Sequence, residues 1–192
     1  MKRVIYIFII TILVSNVISC ASSDSSSSST SSSSNSSDST ETTESLSGNG
    51  VFIVAGLSGN ILRSTDNGSS FDNATSPTSY NLYGAAFGKS NFVLVGDNGT
   101  VVKSSDNGSS FENVTTPTSS TLLALGFGNN TFVSAGVSGG IVKSTDDGTS
   151  WDNVTSPTTN YWRGVVYGNS TFVVVGDNGT IVRSDDGSSF DN

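Results

Sequence analysis

Histidine is absent from this 192-residue chain, and cysteine, methionine and basic residues are scarce. Without an imidazole the chain has no Ser-His-Asp triad and no histidine-ligated zinc or copper site. The single cysteine, Cys20, excludes a disulfide framework. Eight Lys and Arg stand against 16 Asp and Glu, a net charge of −8. This acidic balance disfavours anionic partners, so no nucleic-acid ligand is predicted.

The N-terminal stretch, residues 1–19, predicts a secretory signal peptide. Lys2 and Arg3 precede an apolar run over residues 4–14, which is too short for a membrane-spanning helix. Residues 17–20, Val-Ile-Ser-Cys, resemble a bacterial lipobox. That resemblance implies that Cys20 is lipidated and begins the mature chain, as in an exported lipoprotein of the outer membrane or cell surface. The alternative is an ordinary cleaved signal peptide with an incidental cysteine.

Residues 20–47 predict the lipidated cysteine followed by a disordered tether. The stretch 21–47 is almost entirely Ser and Thr with a few acids. Such a composition offers too little apolar surface to fold. The folded part is therefore predicted to span residues 48–192.

One phrase recurs in that folded part at a fixed period. The copies cover residues 64–71, 104–111, 144–151 and 184–190. The first three place an aspartate at positions 66, 106 and 146, and the fourth copy is one residue shorter. A fixed period of this length is typical of repeat architectures in which each unit is one supersecondary element.

Each unit contains four short apolar runs, which predict four antiparallel strands. In the second unit they are residues 82–87, 91–95, 100–104 and 111–115. Asn98-Gly99 separates the second run from the third, and Asn-Gly between apolar runs is a strong hairpin signal. Four such strands in one repeat describe one propeller blade.

The recurring phrase resembles the Asp box of BNR-type repeats in sialidases, sortilin-like receptors and photosystem-assembly-factor-like proteins. The resemblance implies an all-β fold, a β-propeller of about four four-stranded antiparallel blades, with the first and last blades incomplete. It assigns structural turn roles to Asp66, Gly68, Phe71, Asp106, Gly108, Phe111, Asp146, Gly148, Trp151, Asp185, Gly187 and Phe190.

The incomplete blades leave three interpretations open. The first unit starts near Val51 without an innermost strand, and the fourth stops inside its last strand at Asn192. The chain is then a fragment of a larger ring, a compact four-bladed ring, or an arc completed by a second chain.

The residues themselves predict that the phrase is a β-turn. A short Asp or Ser side chain accepts backbone N–H bonds, and the glycine takes a positive φ. A calcium loop is the alternative, but each copy has at most two adjacent acids and no distal glutamate. No metal and no cofactor are therefore predicted.

Catalysis is not predicted either. Sialidases with this turn bind a carboxylate with three arginines. The mature chain has three arginines in all, Arg63, Arg163 and Arg183. Arg63 and Arg183 share one repeat position with Lys103 and Lys143, which favours pairing with a neighbouring acid over convergence on a ligand.

Departures from the repeat mark the candidate ligand site. The fourth unit has Tyr161-Trp162-Arg163 where the second has Asn81-Leu82-Tyr83. Aromatic rings beside a guanidinium are typical of recognition sites, so Tyr83, Tyr161, Trp162 and Arg163 are the candidate ligand-binding residues. The alternative is that Trp162 packs between blades and Arg163 caps a surface.

These observations predict a membrane-anchored, non-catalytic binding module whose ligand is a protein or a glycan. Two alternatives remain at this point. One is a sialidase-like glycan hydrolase or its remnant, and the other is an assembly or chaperone factor.

Overall fold

The structure is a computed structural model that describes residues 17–22 and 50–191. In these ranges the chain forms four antiparallel sheets. The predicted signal peptide up to residue 16 and the predicted tether from residue 23 to 47 lie outside the described residues.

Each sheet is one blade, and its strands follow one another in chain order. Blade 1 contains β1 (Val17–Ser22), β2 (Phe52–Gly56), β3 (Ile61–Ser64) and β4 (Asp72–Asn73); blade 2 contains β5 (Leu82–Gly88), β6 (Asn91–Gly96), β7 (Val101–Ser104) and β8 (Glu112–Val114); blade 3 contains β9 (Leu122–Gly128), β10 (Thr131–Gly136), β11 (Ile141–Ser144) and β12 (Asp152–Val154); blade 4 contains β13 (Trp162–Gly168), β14 (Thr171–Gly176) and β15 (Ile181–Ser184). The predicted all-β blade architecture is confirmed.

Tight turns join the strands at the positions that the sequence predicts. Lys89 and Ser90, between β5 and β6, have φ values of 47° and 66°. Two consecutive positive φ angles are the mark of a type I′ hairpin, whose twist matches that of its strands. Asn98 and Gly99, between β6 and β7, also have positive φ, 56° and 65°. The blades are therefore built from local hairpins.

Blade 1 has an innermost strand, contrary to the expectation from the sequence. Strand β1 pairs antiparallel with β2, with Cys20 opposite Val54 and Ser22 opposite Phe52. The counterpart of β5 in blade 1 was expected one full period before β5. That position lies in the Ser/Thr-rich stretch, so no innermost strand was predicted there. Strand β1 thus crosses the predicted boundary between the signal peptide and the mature chain.

Blade 4 is the shortest. Its fourth strand is reduced to a bridge between Arg183 and Asp191, with N–H···O distances of 2.8 and 3.0 Å. The predicted incompleteness of the last blade is therefore seen within the described residues.

The core lies between the blades, because alternate side chains of a strand point to opposite faces. Phe92 and Leu94 of β6 pack against Ile53 of blade 1, whereas Val93 and Val95 pack against Phe132 of blade 3. The same arrangement joins blade 3 to blade 4. A middle blade is consequently buried on both faces, and all six residues of β6 are buried.

The inner strands are neighbours in the order β1, β5, β9 and β13. No packing of comparable extent joins β13 to β1 within the described residues. The outer face of blade 4 accordingly exposes Val166 (60%), Val175 (40%) and Ile181 (58%). The described blades form an open arc.

Candidate binding surface on the loop rim

The phrase that recurs along the chain folds as a turn closed by its own side chains, called here the Asp turn. In the first copy, the Ser70 amide and hydroxyl donate to the Asp66 carboxylate at 2.9 and 2.7 Å. The Ser64 hydroxyl donates to the same carboxylate at 2.7 Å and accepts the Gly68 amide at 2.9 Å. Asp106 and Asp146 make the same bonds.

These bonds stabilise the ionised carboxylates. Donation from Ser70 and Ser64 lowers the pKa of Asp66 to about 2. Burial raises the pKa of Asp146, but donation from Ser150 and Ser144 outweighs it and lowers that pKa to about 2. Each acid is thus occupied by its own turn rather than directed at a ligand.

The fourth Asp turn uses a different aspartate from the one predicted. Asp186 accepts the Ser188 amide at 2.8 Å and the Ser184 hydroxyl at 3.3 Å. Asp185 instead accepts from the Thr171 hydroxyl at 3.3 Å. The deleted residue shortens the turn, so the acid next to the glycine takes over the acceptor role.

The glycine of the turn lies against the preceding blade. Gly108 has a φ of +79°, and a Cβ there would clash with Ile53 Cδ1. Gly68 has nearly the same φ, +80°, but its nearest contact would be Phe52 Cδ2 at 4.0 Å. The aromatic residue at the end of each Asp turn shows the same difference between blade 1 and the other blades. Phe111, Trp151 and Phe190 are buried, whereas Phe71 is 41% exposed.

The basic residue before each of the first three Asp turns reaches the turn of the next blade. Arg63 Nε donates to the Asn107 carbonyl at 2.8 Å, and Lys103 Nζ donates to the Thr149 hydroxyl at 3.0 Å. Lys143 Nζ donates to the Ser188 hydroxyl at 2.6 Å. These cations link the blades. The sequence pattern favoured pairing with a neighbouring acid, and of these three residues only Lys103 has such a contact within the described residues, with Glu112 at 3.8 Å.

Acidic side chains do not gather into a metal site in residues 17–22 and 50–191, where no group of three or more ligating residues occurs. No helix in the same ranges is long and apolar enough to cross a membrane.

The opposite edge of the arc, called here the loop rim, carries the turns between second and third strands and the residues leading into the inner strands. These turns are Leu57–Gly59, Asp97–Gly99, Val137–Gly139 and Asp177–Gly179. Asp97 N–H donates to the Asn81 carbonyl at 3.0 Å, and Asp177 N–H donates to the Tyr161 carbonyl at 2.8 Å. The shared contact confirms that Asn81 and Tyr161 occupy one repeat position.

Three side chains of blade 4 form a polar and aromatic patch on this rim, called here the Tyr161 patch. Arg163 Nε and Nη2 donate to the two carboxylate oxygens of Asp177 at 2.8 and 3.0 Å. The guanidinium carbon lies 5.5 Å from the centre of the Tyr161 ring, within reach of a cation–π interaction. The hydrogen-bonded Arg163 lowers the pKa of the Asp177 carboxyl.

The patch is open to solvent although its members hold one another. The Arg163 side chain is 55% exposed, and Tyr161 is 43% exposed. Arg163 has five N–H donors, of which Asp177 takes two. Asp177 thus fixes the orientation of an exposed guanidinium beside an exposed aromatic ring.

Trp162 does not belong to the patch. Its side chain is fully buried in the core between blades 3 and 4, and its indole N–H donates to the Ser156 hydroxyl at 3.3 Å. Trp162 thus packs between two blades, as the alternative interpretation of the sequence held. Its side chain is not available to contact a ligand in this structure.

Tyr83 lies on the rim of blade 2, two blades away from Tyr161, so the structure does not bring the two tyrosines together. It is half-buried, and its hydroxyl accepts from Asn81 Nδ2 at 3.3 Å. Asn81 Oδ1 in turn accepts the Ser58 amide of blade 1 at 2.8 Å. Tyr83 therefore supports a contact between blades.

A groove on the same rim contains an aromatic residue that the sequence analysis missed. Its volume is about 490 Å³, and it lies between residues 77–80 and residues 98–101. Tyr80 lines it and is 48% exposed. The repeat has Ser120 and Asn160 at this position, so the comparison that singled out Tyr161 also had the information to find Tyr80.

No family model matches the chain, and no curated protein matches it. Among solved structures it is similar to YCF48 bound to D1 peptide, with a TM-score of 0.65 and 13% identity over 92% of this chain and 52% of that one. It is also similar to the computationally designed Ika4 protein, with a TM-score of 0.61 and 14% identity over 89% and 91% of the two chains. For YCF48 from Cyanidioschyzon merolae the TM-score is 0.55, with 16% identity over 71% and 50%. The chain therefore has a β-propeller fold and spans about half the length of each YCF48 chain.

Proposed function

We propose that this chain is a non-catalytic module that binds a protein or peptide on its loop rim. The Tyr161 patch carries this proposal. It combines an exposed ring with a guanidinium whose orientation Asp177 fixes, and such groups lose little conformational freedom on binding. Aromatic residues and arginine are also the residues most enriched at the centres of protein interfaces.

The chemistry of the patch suits an extended peptide. The free N–H groups of Arg163 can donate to a main-chain carbonyl or a carboxylate, while the Tyr161 ring packs against an apolar side chain. The groove beside Tyr80 supplies a second contact region on the same rim, with hydroxyls such as Thr118 in its lining. The likeness to YCF48 bound to D1 peptide supports a peptide ligand and favours an assembly role among protein-binding functions.

The arginines support a binding role over glycan hydrolysis. Arg63 donates to the Asn107 carbonyl, Arg163 pairs with Asp177, and Arg183 lies at the open end of blade 4. A sialidase-like clamp needs three guanidinium groups at one point, and these three belong to separate contacts. The geometry of the Asp turns also supports assigning the repeats to the Asp-box class.

Export and lipid anchoring through Cys20 complete the proposal. The basic start, the apolar run over residues 4–14 and the Val-Ile-Ser-Cys motif support it. Cleavage before Cys20 leaves three residues of β1, Cys20, Ala21 and Ser22, still paired with β2. Cys20→Ser should move the protein from the detergent phase to the aqueous phase on partitioning. Unchanged partitioning would contradict the anchor.

Replacement of patch residues by their counterparts in blade 3 tests the binding site. The variant Tyr161→Thr with Arg163→Leu copies Thr121 and Leu123, so the fold tolerates these residues at this repeat position. We expect it to lose most of the binding to peptides selected from a displayed random library against the native chain. Tyr80→Ser, which copies Ser120, measures the contribution of the groove.

A matched control separates binding from folding. Thr121→Asn copies the blade 2 residue Asn81 at the same position and leaves the Tyr161 patch intact, so it should keep full binding. If no peptide is selected, or if the patch variant binds selected peptides as well as the native chain does, the loop-rim site is wrong.

A further inference from the structure

We infer that the groove beside Tyr80 binds an uncharged, proline-containing stretch of the peptide ligand in the polyproline II conformation. The inference rests on the proposed function, because it names the class of peptide that the loop rim takes. The groove lies on blade 2, which packs against described blades on both sides. It is separate from the Tyr161 patch on blade 4, so the two regions can be tested one at a time.

Tyr80 occupies the repeat position that Asn160 has in blade 4. There the Asn160 side-chain amide donates to the Thr180 hydroxyl at 2.8 Å. The blade 2 counterpart of Thr180 is Thr100, and Tyr80 has no amide to donate to it. Thr100 lines the groove instead, together with Asn98. An aromatic residue at this position thus frees the Thr100 hydroxyl from the bond that its counterpart accepts.

Three main-chain carbonyls of the lining residues already accept hydrogen bonds from the walls of the groove. Asn113 Nδ2 donates to the Pro77 carbonyl at 3.2 Å. The Thr116 hydroxyl lies 2.7 Å from the Gly99 carbonyl and 3.1 Å from the Thr118 carbonyl. These bonds hold the walls in place, and they occupy acceptors that a ligand would otherwise use.

The donors that line the groove favour a ligand segment that is rich in acceptors. The Asn98 side-chain amide has two N–H donors, and the hydroxyls of Thr100 and Tyr80 have one each. A proline has no N–H group, and a polyproline II segment makes no internal hydrogen bonds. Such a segment therefore offers free carbonyl acceptors and adds few donors that need partners.

The exposed ring and the lack of charge favour the same ligand. Tyr80 is 48% exposed, and aromatic side chains in grooves are the surfaces on which proline-rich segments dock. None of the described residues that line the groove is charged. A charged ligand side chain would therefore lose hydration there without gaining a partner. A proline segment is also rigid before it binds, so it loses little conformational freedom.

Selection from a displayed random peptide library gives the first test. The targets are the full exported chain in detergent and its Tyr80→Asn variant, which copies Asn160. Circular dichroism checks that the variant is folded, which its exposed position favours. Peptides selected on the native chain should contain proline more often than the unselected library, and those selected on Tyr80→Asn should not. Proline at the frequency of the unselected library on the native chain would overturn the inference.

A double-mutant cycle on one selected peptide assigns its proline to the groove. Replacing that proline by alanine should weaken binding to the native chain about three- to tenfold. The same replacement should leave binding to Tyr80→Asn nearly unchanged, since the two changes remove one contact. Tyr83→Leu, which copies Leu123 and removes a tyrosine outside the groove, should keep the full effect of the proline. Equal losses on the native chain and on Tyr80→Asn would refute the assignment.

The variant with both Tyr161→Thr and Arg163→Leu separates this inference from the proposed function. If it loses binding while the selected peptides are not enriched in proline, the patch stands and the groove inference fails. If it binds as well as the native chain while the proline effect still depends on Tyr80, the patch is wrong and the groove inference stands. Selection of no peptide overturns both.

Discussion

Blades 2 and 4 have almost the same pattern of apolar residues but very different surroundings. All six residues of β6 are buried, whereas in β14 only Phe172 and Val174 are buried. Those two point to the preceding blade, and Val173 and Val175 point outward. The comparison shows that one strand pattern serves two interfaces in blade 2, and that blade 4 has the same apolar pattern on a face that the described residues leave exposed.

Phenylalanine truncation should give the largest contrast between a covered and an uncovered face. Phe92→Ala removes a fully buried ring and should lower the free energy of unfolding by about 3–5 kcal/mol. Phe52→Ala, at the matching position of blade 1, should cost less than half as much, because its ring is half-buried. Urea denaturation at low protein concentration measures both. Equal losses would contradict the open arc.

Two glycines with the same backbone conformation sharpen the contrast. Gly108→Ala and Gly68→Ala both place a Cβ at a positive φ, a cost of about 1–2 kcal/mol. Only the alanine at position 108 also clashes with Ile53, which adds about 1–3 kcal/mol for overpacking. Thermal unfolding should therefore rank Gly108→Ala clearly below Gly68→Ala, and the reverse order would refute the packing of the second Asp turn on blade 1.

The fourth Asp turn allows a comparison within one loop. Asp186→Ala removes the acceptor of the Ser188 amide and should cost about 0.5–1 kcal/mol, because the group is largely exposed and solvent screens it. Asp185→Ala removes only a bond at 3.3 Å from Thr171 and should be close to neutral. Melting temperatures of the two variants check the assignment.

Acid should act on all Asp turns at once, with a small effect in each. The pKa of Asp66 and that of Asp146 are lowered from 3.8 to about 2 in the folded protein. The ionised form therefore stabilises the fold above about pH 4, and this stabilisation is lost as the pH falls towards 2. Urea midpoints between pH 5 and 2 measure the loss. An Asp66→Asn variant should show a shallower decline than the native chain.

Much of the fold follows from the sequence because the repeat is local. Residues 64–71 and their copies specify a turn through their own hydrogen bonds, and Asn98-Gly99 specifies a hairpin. The innermost strand of blade 1 could not be located in this way. Ser22 pairs with Phe52, which lies beyond the whole Ser/Thr-rich stretch, and nothing in the local pattern of residues 17–22 distinguishes a strand from the end of a signal peptide.

The candidate site was predictable in part for a similar reason. Successive residues of a strand point to opposite sides, so Trp162 faces the core where its neighbours Tyr161 and Arg163 face solvent. The counterparts Leu82 and Leu122 are apolar, which already marks this position as core. The pairing of Arg163 with Asp177 connects β13 to the turn after β14 and needed the structure. The choice of Asp186 over Asp185 also needed it, because a deletion can be aligned in two ways.

Strand β1 has a consequence for how the module would stand on a membrane. If Cys20 carries the lipid, as proposed, the acylated residue is itself a rung of the blade 1 sheet, opposite Val54. The lipid would then be attached to the sheet itself, with no spacer between the acylated residue and the folded blade. Residues 23–51 would then connect two strands of one blade instead of acting as a spacer. Blade 1 would then be the part of the folded module nearest to the lipid surface.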